Sequence, residues 1–294
     1  MSTPTSENVP PALPGKDAGV DQARKLDTSE VADYAGLLRL DGRAFVVAGA
    51  GQGIGRQITH ALAQNGAKLL CLDYDQAAAQ HVAGEVGAVP ATADVRERGD
   101  IEAAFTRAKD EFGRVDGVVD IVGMAKYAAL LQTSEDDWSW TFDMVLRHAW
   151  LISQVGGEMM RQQERRDDNG QRGVFAFVGS ASGITGAPLH AAYGAAKAGL
   201  LSLVRSIAVE FGPMGMRSNA VAPGVVWTPR IGAMIGEQGR EQNAKNTPLR
   251  RVAEPRDIAS VLLFLLSDLS AYVSGQVISI DGGVSAKFPY PLGE

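Results

Sequence analysis

The chain has 294 residues and a formal net charge of −6 at pH 7, so it offers no basic field to hold a phosphate backbone, and nucleic acid is excluded as the expected partner. A single cysteine, Cys71, leaves no disulfide framework within the chain, and the longest late apolar run, residues 261–266, is too short to span a bilayer. What remains is a soluble, cytoplasmic, small-molecule enzyme large enough to bury a substantial core, with no membrane partner and no metal expected.

Residues 1–36 begin MSTPTSENVPPALPGKDAG and lack both the basic start and the apolar centre of a secretory signal. They read as a flexible polar leader, or alternatively as a partner-binding arm. Residues 43–48 (RAFVVA) are an apolar run leading into Gly49-Ala50-Gly51-Gln52-Gly53-Ile54-Gly55, and a helical pattern follows over 54–65. The order is strand, glycine turn, helix. Glycines there let a backbone approach a pyrophosphate, which then sits on the free N–H groups of the helix; the alternative is a glycine-rich surface turn.

Residues 68–72 form the next strand, with Cys71 read as a buried structural thiol and Asp73 at its end, 24 residues after Gly49. A carboxylate at that point accepts from the adenosine ribose hydroxyls and repels a 2′-phosphate, so NAD is preferred over NADP. Arg56 is the one nearby cation that favours the phosphate instead. Residues 89–92 are a third strand, closed by Asp94 and Val95, and residues 117–122 (GVVDIV) a fourth, ending at Gly123. A long helix is predicted over 136–159, then a polar, exposed loop over 160–173.

Residues 174–178 are strand five, with Ser180 just beyond its carboxyl end. Tyr193 and Lys197 follow, four apart in an Ala-rich helix reaching Phe211, so their side chains share one face. An ammonium beside a phenol, joined by a positively charged nicotinamide, favours the phenolate and makes Tyr193 a candidate general acid/base. Residues 216–222 are strand six, a mobile substrate lid occupies about 225–251, residues 255–266 are a helix opened by a proline, and 276–280 are the last strand. The alternation predicts an α/β fold: one doubly wound, Rossmann-like parallel sheet of about seven strands, helices on both faces, in a single domain over 37–294.

With Ser180, Tyr193 and Lys197 at this spacing and Gly49, Gly53 and Gly55 in a G-x-x-x-G-x-G turn, the chain resembles the conventional short-chain dehydrogenases/reductases from about Leu40 to Val284. The resemblance implies hydride transfer between NAD and a secondary alcohol or ketone, Ser180 bonding the substrate oxygen, Tyr193 moving the proton, and Lys197 bonding the ribose and lowering the Tyr193 pKa. It places Gly49, Gln52, Gly53, Ile54, Gly55, Asp73, Asp94, Val95, Gly123, Tyr193, Lys197, Pro223, Gly224, Val226 and Thr228 around the cofactor, Asp94 accepting from the adenine amino group; the other reading of Asp94 is a helix N-terminal acid. It also implies a homotetramer or homodimer through the long helices.

Two positions depart from the family pattern. The family's Asn-Asn-Ala-Gly is Asp120-Ile121-Val122-Gly123 here, and Val145 stands where a catalytic Asn is expected. The side-chain bonds of that strand end fall to Asp120 or are absent, and a proton route would pass by Arg147 or His148, unless both are ordinary solvated or interface residues. Met124, Ser182, His190, Trp227 and Met234 are the candidate substrate contacts, a mostly apolar set pointing to a hydrophobic or cyclic substrate, each alternatively a packing residue. The remaining alternatives are a nucleotide-binding protein with little turnover, and reduction of a C=C or C=N bond at the same site.

Overall fold

The computed structural model describes residues 26–166 and 169–287. The chain divides into two units, Met1–Tyr34 and Ala35–Glu294. In the first, residues 26–33 form no helix or strand; most of the leader expected over 1–36 lies outside the described residues.

The second unit alternates strand and helix: β1 (Ala44–Ala48), α1 (Gly53–Gln64), β2 (Lys68–Asp73), α2 (Gln76–Val86), β3 (Val89–Thr92), α3 (Arg98–Phe112), β4 (Gly117–Asp120), α4 (Glu135–Phe142), α5 (His148–Arg161), β5 (Gly173–Val178), α6 (Ala191–Phe211), β6 (Met216–Pro223), α7 (Pro229–Asn246), α8 (Pro255–Leu266) and β7 (Val277–Ile280). The seven strands pair in parallel in the order β3-β2-β1-β4-β5-β6-β7, with Ala48 of β1 opposite both Leu72 and Asp120. The runs AFVVA and GVFAFV are buried along their whole length, as unbroken apolar strands must be when helices cover both faces. From β1 the chain moves outward to β3 and then returns to β4 on the other side of β1. That reversal opens a crevice at the carboxyl ends, where open α/β sheets bind their ligands.

Each face has its own core. On one, Phe105 of α3, Ile152 of α5 and Val204 of α6 pack with Phe175 and Phe177. On the other, Ile58 and Leu62 of α1 and Leu262 and Leu265 of α8 pack with Phe45, Val47 and Val119. Cys71 belongs to this second core, and burial pushes its thiol up to about 11, the behaviour of a packing residue rather than a nucleophile.

Two expectations are corrected. The helix expected over 136–159 is present as α4 and α5 running on without a break from Glu135 to Arg161, with one π-helical segment, Asp143–Arg147, between them. Val145 and His148, three apart and so on one face, are both fully buried. Met160 is not the start of an exposed loop but a buried residue in the last turn of α5. The segment expected as a loop after 230 is mostly helix: the Thr228 hydroxyl accepts from the Ile231 N–H at 3.2 Å, Pro229 opens α7, and Gly236, at φ 62°, breaks the helical path inside it.

Ile58 is fully buried between α1 and the sheet. Ile58→Ala is expected to cost about 2–5 kcal/mol through lost transfer energy and a residual cavity, read as a lower urea midpoint with an unchanged slope.

Candidate active site

The carboxyl ends of the central strands open into a cavity of about 920 Å³. Gly49, at φ 83°, turns the chain off β1, and the Gly51 N–H donates to Asp73 Oδ2 at 2.8 Å, tying the turn to the end of β2. A Cβ on Gly55 would lie 1.8 Å from the Gly49 carbonyl oxygen, so the first turn of α1 closes on the glycine turn only without a side chain. Gly55 therefore shapes the turn, standing just behind the residues that line the cavity. Gln52, the residue before α1, makes no side-chain cap, so the first N–H groups of the helix are left facing an anion's place beside Gly49 and Gly53.

These residues fit a dinucleotide. Asp73 and Tyr74 line the cavity beside the turn, and Ala93, Asp94 and Val95 continue it beyond β3. The Asp94 carboxylate is held by its neighbour: Arg96 Nε donates at 2.9 Å, the Arg96 N–H at 3.0 Å, and α3 begins only at Arg98. Arg56 is turned away, its Nε and Nη2 both 2.7 Å from Glu85, whose carboxyl it and His60 hold down at about 2.

Ser180 follows β5, and its Oγ accepts from the Ser182 N–H at 3.1 Å, which fixes the hydroxyl at the cavity wall. Tyr193 and Lys197 come from the first two turns of α6. Lys197 is buried; its Nζ donates to the Val178 carbonyl at 2.7 Å and lies 5.8 Å from the centre of the Tyr193 ring. Burial pushes the ammonium down to about 8, against the pull of Asp120. Burial likewise pushes the Tyr193 phenol up to about 12; Tyr127 adds to this, while the Ser180 hydroxyl and the Arg230 guanidinium oppose it. The expected lowering of the Tyr193 pKa is thus not present in the protein alone, because desolvation of the phenolate outweighs the surrounding donors.

Gly123 sets the floor under Lys197, since a Cβ there would lie 2.7 Å from Nζ. Behind it Asp120, at the end of β4, accepts from the Val122 N–H at 3.0 Å and meets His148 Nε2 at 3.0 and 3.3 Å. Asp120 thus ties the end of β4 to its own continuation and to α5, and among the described residues makes no side-chain bond to the neighbouring strands β1 and β5. Of the two relay candidates, Arg147 points to the surface and donates to the Arg96 carbonyl at 2.8 Å, while His148 is fully buried. Across the cavity, Pro223, Gly224, Val226 and Thr228 extend from β6, and a Cβ on Gly53 would lie 3.0 Å from Thr228 Cγ2.

Of the candidate substrate contacts, Met124, Ser182, His190 and Met234 line the cavity. Trp227 does not: its ring packs on Gly232 and beneath the Arg240 guanidinium, 4.7 Å away, so the side chain serves to hold α7. Sequence reasoning missed Tyr127, whose ring meets His190 edge-on at 4.7 Å and Tyr193 at 5.7 Å, and Arg230 at the start of α7. Only an isolated aromatic four residues past Gly123 signalled the first. Gly123→Ala is expected to displace the ammonium and lower turnover at least about tenfold while leaving the melting temperature within a few degrees, a separation read by activity assay and thermal unfolding side by side.

A family model described as enoyl-(acyl carrier protein) reductase matches residues 49–285. The 3-oxoacyl-(acyl-carrier-protein) reductase FabG of Thermotoga maritima is 32% identical over 252 residues, covering 84% of this chain and 99% of that protein. An uncharacterized short-chain type dehydrogenase/reductase of Sinorhizobium fredii is 36% identical over 258 residues, covering 83% and 98%. Among solved structures, a 7α-hydroxysteroid dehydrogenase complexed with NADH and 7-oxo glycochenodeoxycholic acid superposes with a TM-score of 0.80 at 28% identity, covering 86% of this chain and 98% of that one. With its seven-stranded parallel sheet and the cavity at the strand ends, the chain belongs to the short-chain dehydrogenase/reductase family, whose members are oxidoreductases.

Proposed function

We propose that the protein is an NAD-dependent oxidoreductase acting on the C–OH/C=O pair of a secondary alcohol or ketone with a hydrophobic or cyclic frame. The observation that carries this is the meeting of Ser180, Tyr193 and Lys197 at one wall of the cavity that also contains the glycine turn. Ser180 bonds the substrate oxygen and steadies its charge as it develops; Tyr193 gives or takes the hydroxyl proton; Lys197 supports the phenolate and bonds the ribose. When bound, the nicotinamide supplies or accepts the hydride. Tyr127 and His190, packed edge-to-face beside Tyr193, give the substrate a partly apolar wall and shelter the reacting oxygen from water.

The preference for NAD is supported by electrostatics. Asp73 puts a carboxylate at the end of β2, and Arg56 and Arg96 are already paired with Glu85 and Asp94. A 2′-phosphate would meet an acid there, and either guanidinium would have to leave its carboxylate to hold it. The steroid ketone in the NADH-bound relative supports the cyclic reading, and the description of the matching family model supports the second reading, reduction of a C=C bond at the same site. Ser180 beside Tyr193 favours chemistry at an oxygen, because two hydroxyls at one point serve a carbonyl or alcohol better than an alkene carbon. The part of residues 225–251 that forms α7 serves as the substrate lid, hinged at Gly236, and the protein works in the cytoplasm as a homotetramer or homodimer.

The test is NAD reduction across cyclic, steroidal and linear secondary alcohols at mildly alkaline pH, with NADP and Tyr193→Phe in parallel. Turnover with NAD that falls by at least about 10²-fold in Tyr193→Phe is expected, the scale of a lost general acid/base. Equal rates in both proteins, or NADP preferred, would contradict the reading.

A further inference from the structure

Lys197 is a buried cation whose hydrogen-bond partner is a neutral carbonyl, that of Val178. A charge in that position needs opposite charge nearby, or it sheds its proton. The groups around it are few. Tyr193 shares its helix, Asp120 ends β4 opposite Phe177 of β5, and His148 meets Asp120 from α5. Asp143, in the π-helical segment, is half-exposed beside Arg147, and Val145 in the same segment offers only methyl groups. Asp120 pairs across the sheet with Phe177, the residue before the Val178 carbonyl that receives Nζ, and from that place its charge acts on the ammonium against the effect of burial.

The Asp120 carboxylate is itself dry, with 3% of the residue exposed, and two donors hold it: the Val122 N–H at 3.0 Å and His148 Nε2 at 3.0 Å. His148 is fully buried, and Nδ1 of its ring has no partner among the described residues. Its one polar engagement there is with Asp120. A buried imidazole spent wholly on one carboxylate is costly unless that carboxylate has work to do.

We propose that Asp120 and His148 are positioning residues for Lys197: the carboxylate keeps the ammonium charged in its dry site, and the imidazole keeps the carboxylate in place. The pair thereby sets the state of the cation that supports the Tyr193 phenolate. Only this catalytic consequence rests on the function proposed above; the effect on Lys197 is a property of the folded chain.

Folded Lys197 releases its proton near about 8, whereas the unfolded chain holds it to 10.5, so between those values the unfolded state binds more protons and stability rises with pH. Taking away the carboxylate lowers the folded value further. The resulting stability loss is complete at pH values below the variant's own value and vanishes above the wild-type value, once Lys197 is neutral in both proteins. Asp120→Asn keeps the shape and the acceptor for the Val122 N–H.

The proposal expects an Asp120→Asn melting-temperature deficit at about pH 7 that shrinks by at least half at about pH 9.5. The same shrinkage is expected in a His148→Gln background, where Gln still donates to residue 120 and no imidazole titrates. A merely structural role gives a deficit independent of pH over this range, and that result overturns the proposal. If Asp120→Asn does not fold, Asp120→Ser is measured and read the same way. With an active substrate, the alkaline limb of the kcat/KM profile moves to lower pH in Asp120→Asn; a stationary limb with the stability shift present would sink the catalytic consequence alone.

Discussion

The burial of one ammonium organises this site. Lys197 sits beneath the cavity with its Nζ on the Val178 carbonyl, and everything in its surroundings answers to that placement. Gly123 has no side chain because a Cβ would occupy the space 2.7 Å from Nζ. β5 ends at Val178 so that a carbonyl is left to receive it, and Ser180 follows two residues later at the cavity wall. Coulomb and desolvation effects pull in opposite directions on the same atom, and desolvation is the larger. A cation held below its ordinary pKa is the one a site can turn on and off by bringing charge near it.

The fold supplies that placement through strand order. Parallel strands bring their carboxyl ends to one edge, and the return from β3 to β4 separates the loops after β1 and β4 enough to admit a ligand. The helices then divide the labour. α1 presents uncapped N–H groups at the glycine turn, α6 carries Tyr193 and Lys197 on one face, and α7 lines the cavity with Arg230, Ile231 and Met234. Two cores, one on each face of the sheet, hold α1 and α6, whereas α7, interrupted at Gly236, buries no residue in either.

Most of the fold could be read from the chain because apolar strands buried on both faces leave an unbroken signal, as in AFVVA and VFAFV. The glycine turn and the Ser180, Tyr193, Lys197 spacing were legible for a similar reason: each residue type is forced by local geometry. What escaped was decided by tertiary context. A π-helical segment has no composition of its own, so the one at Asp143–Arg147 and the burial of His148 after it were hidden in a continuous helical pattern. Trp227 looked like a pocket residue and packs under Arg240 instead, since an indole is equally at home in either place. The upward shift of Tyr193 in the protein alone was also not legible: spacing reveals that a cation is near, and says nothing about how much water has been removed. Asp120 and His148, 28 residues apart, are joined only by the fold.

Burial holds Tyr193 as a protonated phenol in the protein alone, and the proposed function requires that its pKa fall when a cationic nicotinamide is bound beside Lys197. Ultraviolet difference titration of tyrosine ionisation, with and without saturating NAD, and with Tyr193→Phe as the reference, measures this directly. In the free protein the Tyr193 signal should titrate near about 12. With NAD it should fall by at least about 2 pH units, a displacement worth close to ~2.7 kcal/mol in favour of the phenolate. A Tyr193 titration that NAD leaves in place, in a protein shown to have bound it, would contradict the account.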